Sequence, residues 1–133
     1  MMQQIKMVTY CVESLGLNID AWQHYLGYRI IEQGKIPEEL ANLWGAKNVA
    51  GKPFAIIEPS SGEAVWIRFI ETGKNFPFQQ PLYEGWNATE ILVENPDELA
   101  KKLRDGPFRL IGGPHDLYDM KKSPRAIQVL GPS

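Results

Sequence analysis

Two strand-forming segments each place a charged residue among apolar neighbours. Alternate residues of a strand face the same side, so Arg68 shares a face with Trp66 and Ile70, and Glu90 shares one with Leu92. A buried charge is costly unless it is paired and hydrogen-bonded. Two interpretations stay open. Arg68 binds an acidic or carbonyl group of a small ligand, with Glu90 as its partner or general base, or the two residues form a structural ion pair.

Four further side chains are candidates for contact with a ligand. By the same alternation, Thr9 and Trp66 are expected to face the side of the sheet that carries Arg68. The Trp66 indole is suited to stacking on a flat ligand. Gln128 lies in the last strand, where its amide either binds a ligand or satisfies its neighbours. His115 follows two glycines and a proline, so a loop is predicted there, and its imidazole either binds a ligand or is inert.

Composition excludes several classes of protein. The chain has 133 residues, with 14 basic and 16 acidic side chains and a net charge of −2, which indicates one domain without the concentrated basic face that nucleic acids require. No apolar run approaches the roughly 18 residues that span a membrane, and the first residues lack the apolar core of a signal peptide. The single cysteine, Cys11, is expected to be a small buried hydrophobe, and it fits a reducing cytoplasm.

The elements that position these residues follow from periodicity and from cap signals. A first helix is predicted over 19–26 with Asn18 as its N-cap and Gly27 at its end. A second follows Pro37 over 38–44, and a third begins after Asn95 and ends before Gly106. The predicted strands cover 7–12, 28–33, 54–58, 64–71, 87–93, 108–111 and 126–130.

These elements occur in two similar series. Residues 8–14 align with 89–95, and residues 66–69 align with 126–129. The second series is shorter by about the length of the predicted helix near 35–45. This order predicts a repeated strand–helix–three-strand unit, and the alternative is that two αβ halves align by chance.

The repeat resembles the vicinal-oxygen-chelate superfamily, which includes glyoxalases, bleomycin-resistance proteins and dioxygenases. The segments that carry the resemblance are 7–14, 21–27, 88–99 and 126–130. The resemblance implies an α+β fold in which two βαβββ modules form a curved mixed-sheet cup, often across a dimer interface. It implies one glyoxalase-like domain over 1–133, with module one at 1–72, a linker at 73–85 and module two at 86–133.

The superfamily's metal-binding members carry four inward ligands, and the resemblance maps these onto Met7, Arg68, Ala88 and Gln128. Met7 and Ala88 offer no hard ligand, and Arg68 repels a cation. Gln128 alone cannot hold a divalent ion, which needs about three or four ligands. The sequence therefore predicts no metal and no other cofactor.

The resemblance and its departures together favour a metal-independent small-molecule-binding protein of the glyoxalase/bleomycin-resistance type. One alternative is a lyase or isomerase acting on a small carbonyl or carboxylate substrate, with Arg68 and Glu90 as catalytic residues. Another is an interaction domain of a longer glyoxalase-like polypeptide. The expected partners are a small-molecule ligand and a second copy in a homodimer, with no nucleic acid and no membrane, and the expected location is the cytoplasm.

Overall fold

Six strands and three α-helices make up the described chain, which in this computed structural model comprises residues 4–74 and 88–132. The chain divides into two compact units, one ending at Thr89 and the other spanning Glu90–Pro132. The elements are β1 (Met7–Val12), α1 (Leu15–Leu26), β2 (Tyr28–Lys35), α2 (Glu38–Leu43), a 3-10 turn (Lys47–Val49), β3 (Pro53–Pro59), β4 (Trp66–Glu71), α3 (Pro96–Leu103), β5 (Arg109–Asp116) and β6 (Arg125–Leu130). This mixture of helices and strands confirms the predicted α+β class.

The first unit is a four-stranded mixed sheet in the order β1-β4-β3-β2. Strand β1 is parallel to β4, and the other two pairings are antiparallel. Helix α1 covers one face and buries Trp22 against Phe69 of β4, with ring centroids 5.5 Å apart, and against Tyr28 at 4.9 Å. Tyr10 stacks on Phe69 at 6.0 Å, and its hydroxyl donates to Thr89. An aromatic layer therefore joins α1 to the sheet.

The opposite face of this sheet is covered by a short segment rather than by a long helix. Helix α2 and the 3-10 turn bring Ala41 and Val49 onto Phe54, Ile56 and Ile70. Backbone hydrogen bonds close the base of the segment, because Ile36 donates to Lys52 at 2.9 Å and accepts from Gly51 at 2.8 Å. The segment is thus fastened at its base and packed on the sheet.

The second unit consists of α3 and the antiparallel pair β5–β6. Ala100, Leu103 and Phe108 are its fully buried apolar residues, whereas β5 and β6 alternate between half-buried and exposed positions. Arg125 on β6 donates to Asp97 at the start of α3 at 2.7 Å and to Asp116 on β5 at 2.9 Å. This exposed pairing connects the helix to the hairpin.

Helix starts agree with the sequence signals at two of three positions. Asn95 caps α3, since its Oδ1 accepts from the backbone N–H of Glu98 at 3.1 Å, and α2 begins after Pro37. The predicted cap Asn18 is wrong, because Ser14 caps α1 through its hydroxyl oxygen and the helix begins four residues earlier. Asn18 is instead buried inside the first turn, where its side chain donates to the carbonyl of Ser14 at 2.9 Å.

Two expectations about the second half are wrong. The predicted strand at 87–93 is not a strand over its described residues, 88–93, and Leu92 is fully exposed. Alternating apolar residues form a strand only where a partner backbone completes the ladder, and the second sheet pairs β5 with β6 alone. The segment expected to be a loop after Gly112 instead continues β5 to Asp116, so His115 lies in a strand opposite Ala126.

Candidate functional site

A pocket of about 340 Å³ opens on the sheet face of the first unit that α2 and the 3-10 turn only partly cover. The register of β1 and β4 sets Thr9 opposite Arg68 and Cys11 opposite Ile70. All four side chains line the pocket because alternate strand residues share a face. The full lining is Thr9, Cys11, Trp44, Ala46, Val49, Arg68 and Ile70.

Arg68 is the one charged residue of this lining, and an aromatic ring holds it. Its guanidinium carbon lies over the Trp44 ring, 4.7 Å from the centroid, which is a cation–π contact. Burial lowers the pKa of Arg68, and the charge of Glu32 acts in the opposite direction. Within the described part of the first unit, no carboxylate pairs with the guanidinium and no acceptor takes its N–H groups. With respect to these residues, the donors are available to a molecule in the pocket.

Cys11 contradicts its expectation, because it is exposed rather than buried. It lies on β1, at the edge of the four-stranded sheet, and its side chain lines the pocket. Thr9, its neighbour on the same face, is also exposed and lies directly across the ladder from Arg68. The pocket thus has a polar end at Thr9 and Arg68 and an apolar remainder.

Trp66 lies on the expected face but outside the pocket lining. Its indole N–H donates to Glu58 at 3.2 Å, and Glu58 also accepts from Arg29 at 2.6 Å. The ring is half-buried and packs against the apolar cluster beneath α2. Its proposed stacking on a ligand stays a prediction.

The remaining predicted site residues belong to the second unit. Glu90 is exposed and outside any strand, so its expected position on a buried strand face is wrong. His115 on β5 and Gln128 on β6 are exposed as well. Gln128 lies close to Gly112: a Cβ atom placed on Gly112 would be only 2.9 Å from the side-chain amide oxygen of Gln128. The contact of Glu90 with Arg68 and the ligand-binding roles of Glu90, His115 and Gln128 stay predictions.

Sequence analysis missed the far wall of the pocket, which Trp44, Ala46 and Val49 form. These residues follow α2, where Gly45 adopts a left-handed conformation with φ 68° and turns the chain back over the sheet. A tryptophan directly before a glycine at a helix end was the available signal. It indicated a turn, but not the strand over which that turn would fold.

The described residues do not fit a divalent metal at the positions that the resemblance maps. Met7 lies on β1 and Arg68 on the neighbouring strand β4, offset by two residues along the ladder and on the same face of the sheet. A guanidinium at this position repels a cation. Among residues 4–74 and 88–132, no group of three or more His, Cys, Asp or Glu side chains is close enough to hold an ion.

No helix within residues 4–74 and 88–132 has the length and apolarity to cross a membrane.

No protein-family model matches the sequence, and no curated protein does. The fold is similar to that in a crystal structure of a glyoxalase family protein from Bacillus cereus. The TM-score is 0.59 at 18% identity, over 90% of this chain and 81% of that chain. The chain therefore has a glyoxalase-like fold.

Proposed function

We propose that the protein binds a small organic acid, without a metal, in the pocket of the first unit. The observation that carries the proposal is Arg68, a guanidinium with available donors in a pocket whose other walls are mainly apolar. A partly buried cation in such surroundings favours an anionic partner, since the local dielectric is lower than that of water. A metal-independent binding protein of the glyoxalase/bleomycin-resistance type fits this arrangement.

The dimensions of the pocket support the same proposal. The pocket is open to solvent on one side, and its volume of about 340 Å³ is large enough for a small molecule. Ile70 and Val49 offer apolar contact to the body of a ligand, and both belong to the packed cluster beneath α2. The site therefore combines one orienting charge with rigid apolar walls, which is the common design of such sites.

A lyase or isomerase reaction at this pocket would need a proton-transferring group beside the bound acid or carbonyl. Glu90 is the residue proposed for that role, with Arg68 polarising the substrate. We also propose that the protein is a homodimer. Binding is preferred over catalysis because the pocket lining itself contains a cation, a hydroxyl and the Cys11 thiol, but no carboxylate or imidazole.

The test is an NMR titration of the wild-type chain with benzoate, cyclohexanecarboxylate and pyruvate, each compared with its neutral amide. We expect saturable binding of at least one acid and much weaker binding of its amide. Arg68→Ala should weaken acid binding about tenfold to a hundredfold, because hydrogen bonds to a charged group contribute about 1.5–3 kcal/mol. Arg68→Lys should restore it only partly, since lysine lacks the fork of donors.

Arg29→Ala is the matched control, because it removes the same charge from the same sheet at a residue outside the pocket. It should leave acid binding unchanged, as should the addition of EDTA. The proposal is wrong if no acid binds the wild type, if Arg68→Ala binds acids equally well, or if EDTA abolishes binding.

A further inference from the structure

We infer that Trp44 makes this pocket selective for flat carboxylates, by holding the Arg68 guanidinium so that a ligand meets the edge of the guanidinium group. The inference rests on the proposed function and names the class of acid. It begins from the contact in which the guanidinium carbon lies over the indole ring at 4.7 Å. The Trp44 ring occupies one side of the guanidinium, and the N–H bonds lie in the guanidinium plane. Anions therefore approach through that plane.

A carboxylate matches this approach better than other oxyanions do. Two parallel N–H bonds meet its two oxygens, and the resulting pair is planar. A sulfonate presents a third oxygen outside that plane. That oxygen would point towards apolar walls such as Trp44 or Ile70, where loss of hydration is costly. The hydroxyl of Thr9, across the ladder from Arg68, is the further donor at this end of the pocket.

The rest of the pocket favours a flat apolar body carrying a single charge. Trp44, Val49 and Ile70 line the pocket besides its polar end, and the flat ring of Trp44 favours contact with a planar body. Glu32 lies in the same row of the sheet as Arg68, with Ile56 between them, which places the two backbones about 10 Å apart across two strand spacings. Its negative charge disfavours a second carboxylate on that side. The ligand class is therefore a monocarboxylate with a planar body.

The experiment is a ¹H–¹⁵N NMR titration with benzoate, benzenesulfonate and cyclohexanecarboxylate, which separate the shape of the anion from the shape of the body. Wild type should bind benzoate most tightly. In Trp44→Leu the Kd for benzoate should rise about fivefold to tenfold, as expected for loss of a partly buried cation–π contact. The preference for benzoate over benzenesulfonate should largely disappear. Trp44→Phe keeps an aromatic face and should retain most of that preference.

Leu43→Ala is the control, because Leu43 is the preceding residue, is largely exposed and does not line the pocket. It should leave all three affinities unchanged. Unaltered selectivity in Trp44→Leu would overturn the inference, as would a wild type that prefers cyclohexanecarboxylate or benzenesulfonate. If Trp44→Leu does not fold, the wild-type preferences and Trp44→Phe still decide.

The two proposals fail in different ways. Loss of binding in Arg68→Ala with no change in Trp44→Leu leaves the proposed function standing and removes this inference. Absence of binding by any of the acids in the wild type removes the proposed function itself.

Discussion

The first unit covers one face of its sheet and part of the other, whereas the second unit places one helix on a two-stranded hairpin. Helix α1 and the aromatic layer close one face of the first sheet, and a short turn-rich segment covers part of the other. In the second unit, β5 and β6 contain no fully buried residue. Partial cover over a well-packed sheet is what leaves a pocket with rigid walls. A two-stranded sheet has little capacity to form one, because too few of its side chains are fixed by packing.

The largest effect on this comparison is expected from truncating one buried side chain in each unit. Phe69→Ala should lower the free energy of unfolding by about 3–5 kcal/mol, and Leu103→Ala by about 2–5 kcal/mol. Both residues are almost fully buried, but Phe69 also contacts the rings of Tyr10 and Trp22. Urea unfolding measures the totals, and hydrogen exchange shows where protection is lost.

We expect Phe69→Ala to reduce protection throughout β1, β3 and β4, and Leu103→Ala to act mainly within Glu90–Pro132. Leu43→Ala, at an exposed position, is the control and should change neither. Equal loss of protection in both units for both variants would contradict the division into two compact units.

A smaller effect is expected at the N-caps of α1 and α3, one in each unit. Ser14 accepts from the N–H of Leu17 at 3.3 Å, and Asn95 accepts from that of Glu98 at 3.1 Å. Each change to alanine should cost about 1 kcal/mol. Changes to glycine at the same positions should cost only a few tenths of a kcal/mol, about 0.3. An alanine variant no less stable than its glycine counterpart in urea unfolding would show that the cap does not stabilise that helix.

The smallest effect concerns the exposed pairing of Arg125 with Asp97 in the second unit. Hydrogen bonds from Arg125 lower the pKa of the Asp97 carboxyl below its ordinary value of 3.8. Because the folded pKa is depressed, the stabilisation is fully present above the ordinary value and is lost as pH falls through the lowered one. A ¹³C NMR titration of Asp97 should therefore give a midpoint below 3.8.

Arg125→Ala should raise that midpoint towards the ordinary value of an aspartate, although the charge of Lys101 still lowers it slightly. Added salt should move the wild-type midpoint in the same direction, because the pair is exposed and its charges are screened. A wild-type midpoint that Arg125→Ala does not change would show that the pairing is absent in solution.

Sequence alone determined which side chains share a face and where two of the helices begin. Apolar alternation predicted that Thr9 and Arg68 lie on one side of the sheet, and the register of β1 and β4 agrees. Cap and proline signals predicted the starts of α2 and α3, because these signals act within one turn of backbone. Local periodicity and local hydrogen bonding are enough for such inferences.

Only the tertiary structure decided what lies above the shared face. Trp44 reaches Arg68 because α2, whose C-cap is Trp44, packs on the sheet, and this contact joins residues that are distant in sequence. Cys11 is exposed because its strand is at the sheet edge, and 88–93 is not a strand because no backbone pairs with it in the described sheets. Each of these outcomes depends on which distant segment supplies a partner, and a local pattern carries no information about that choice.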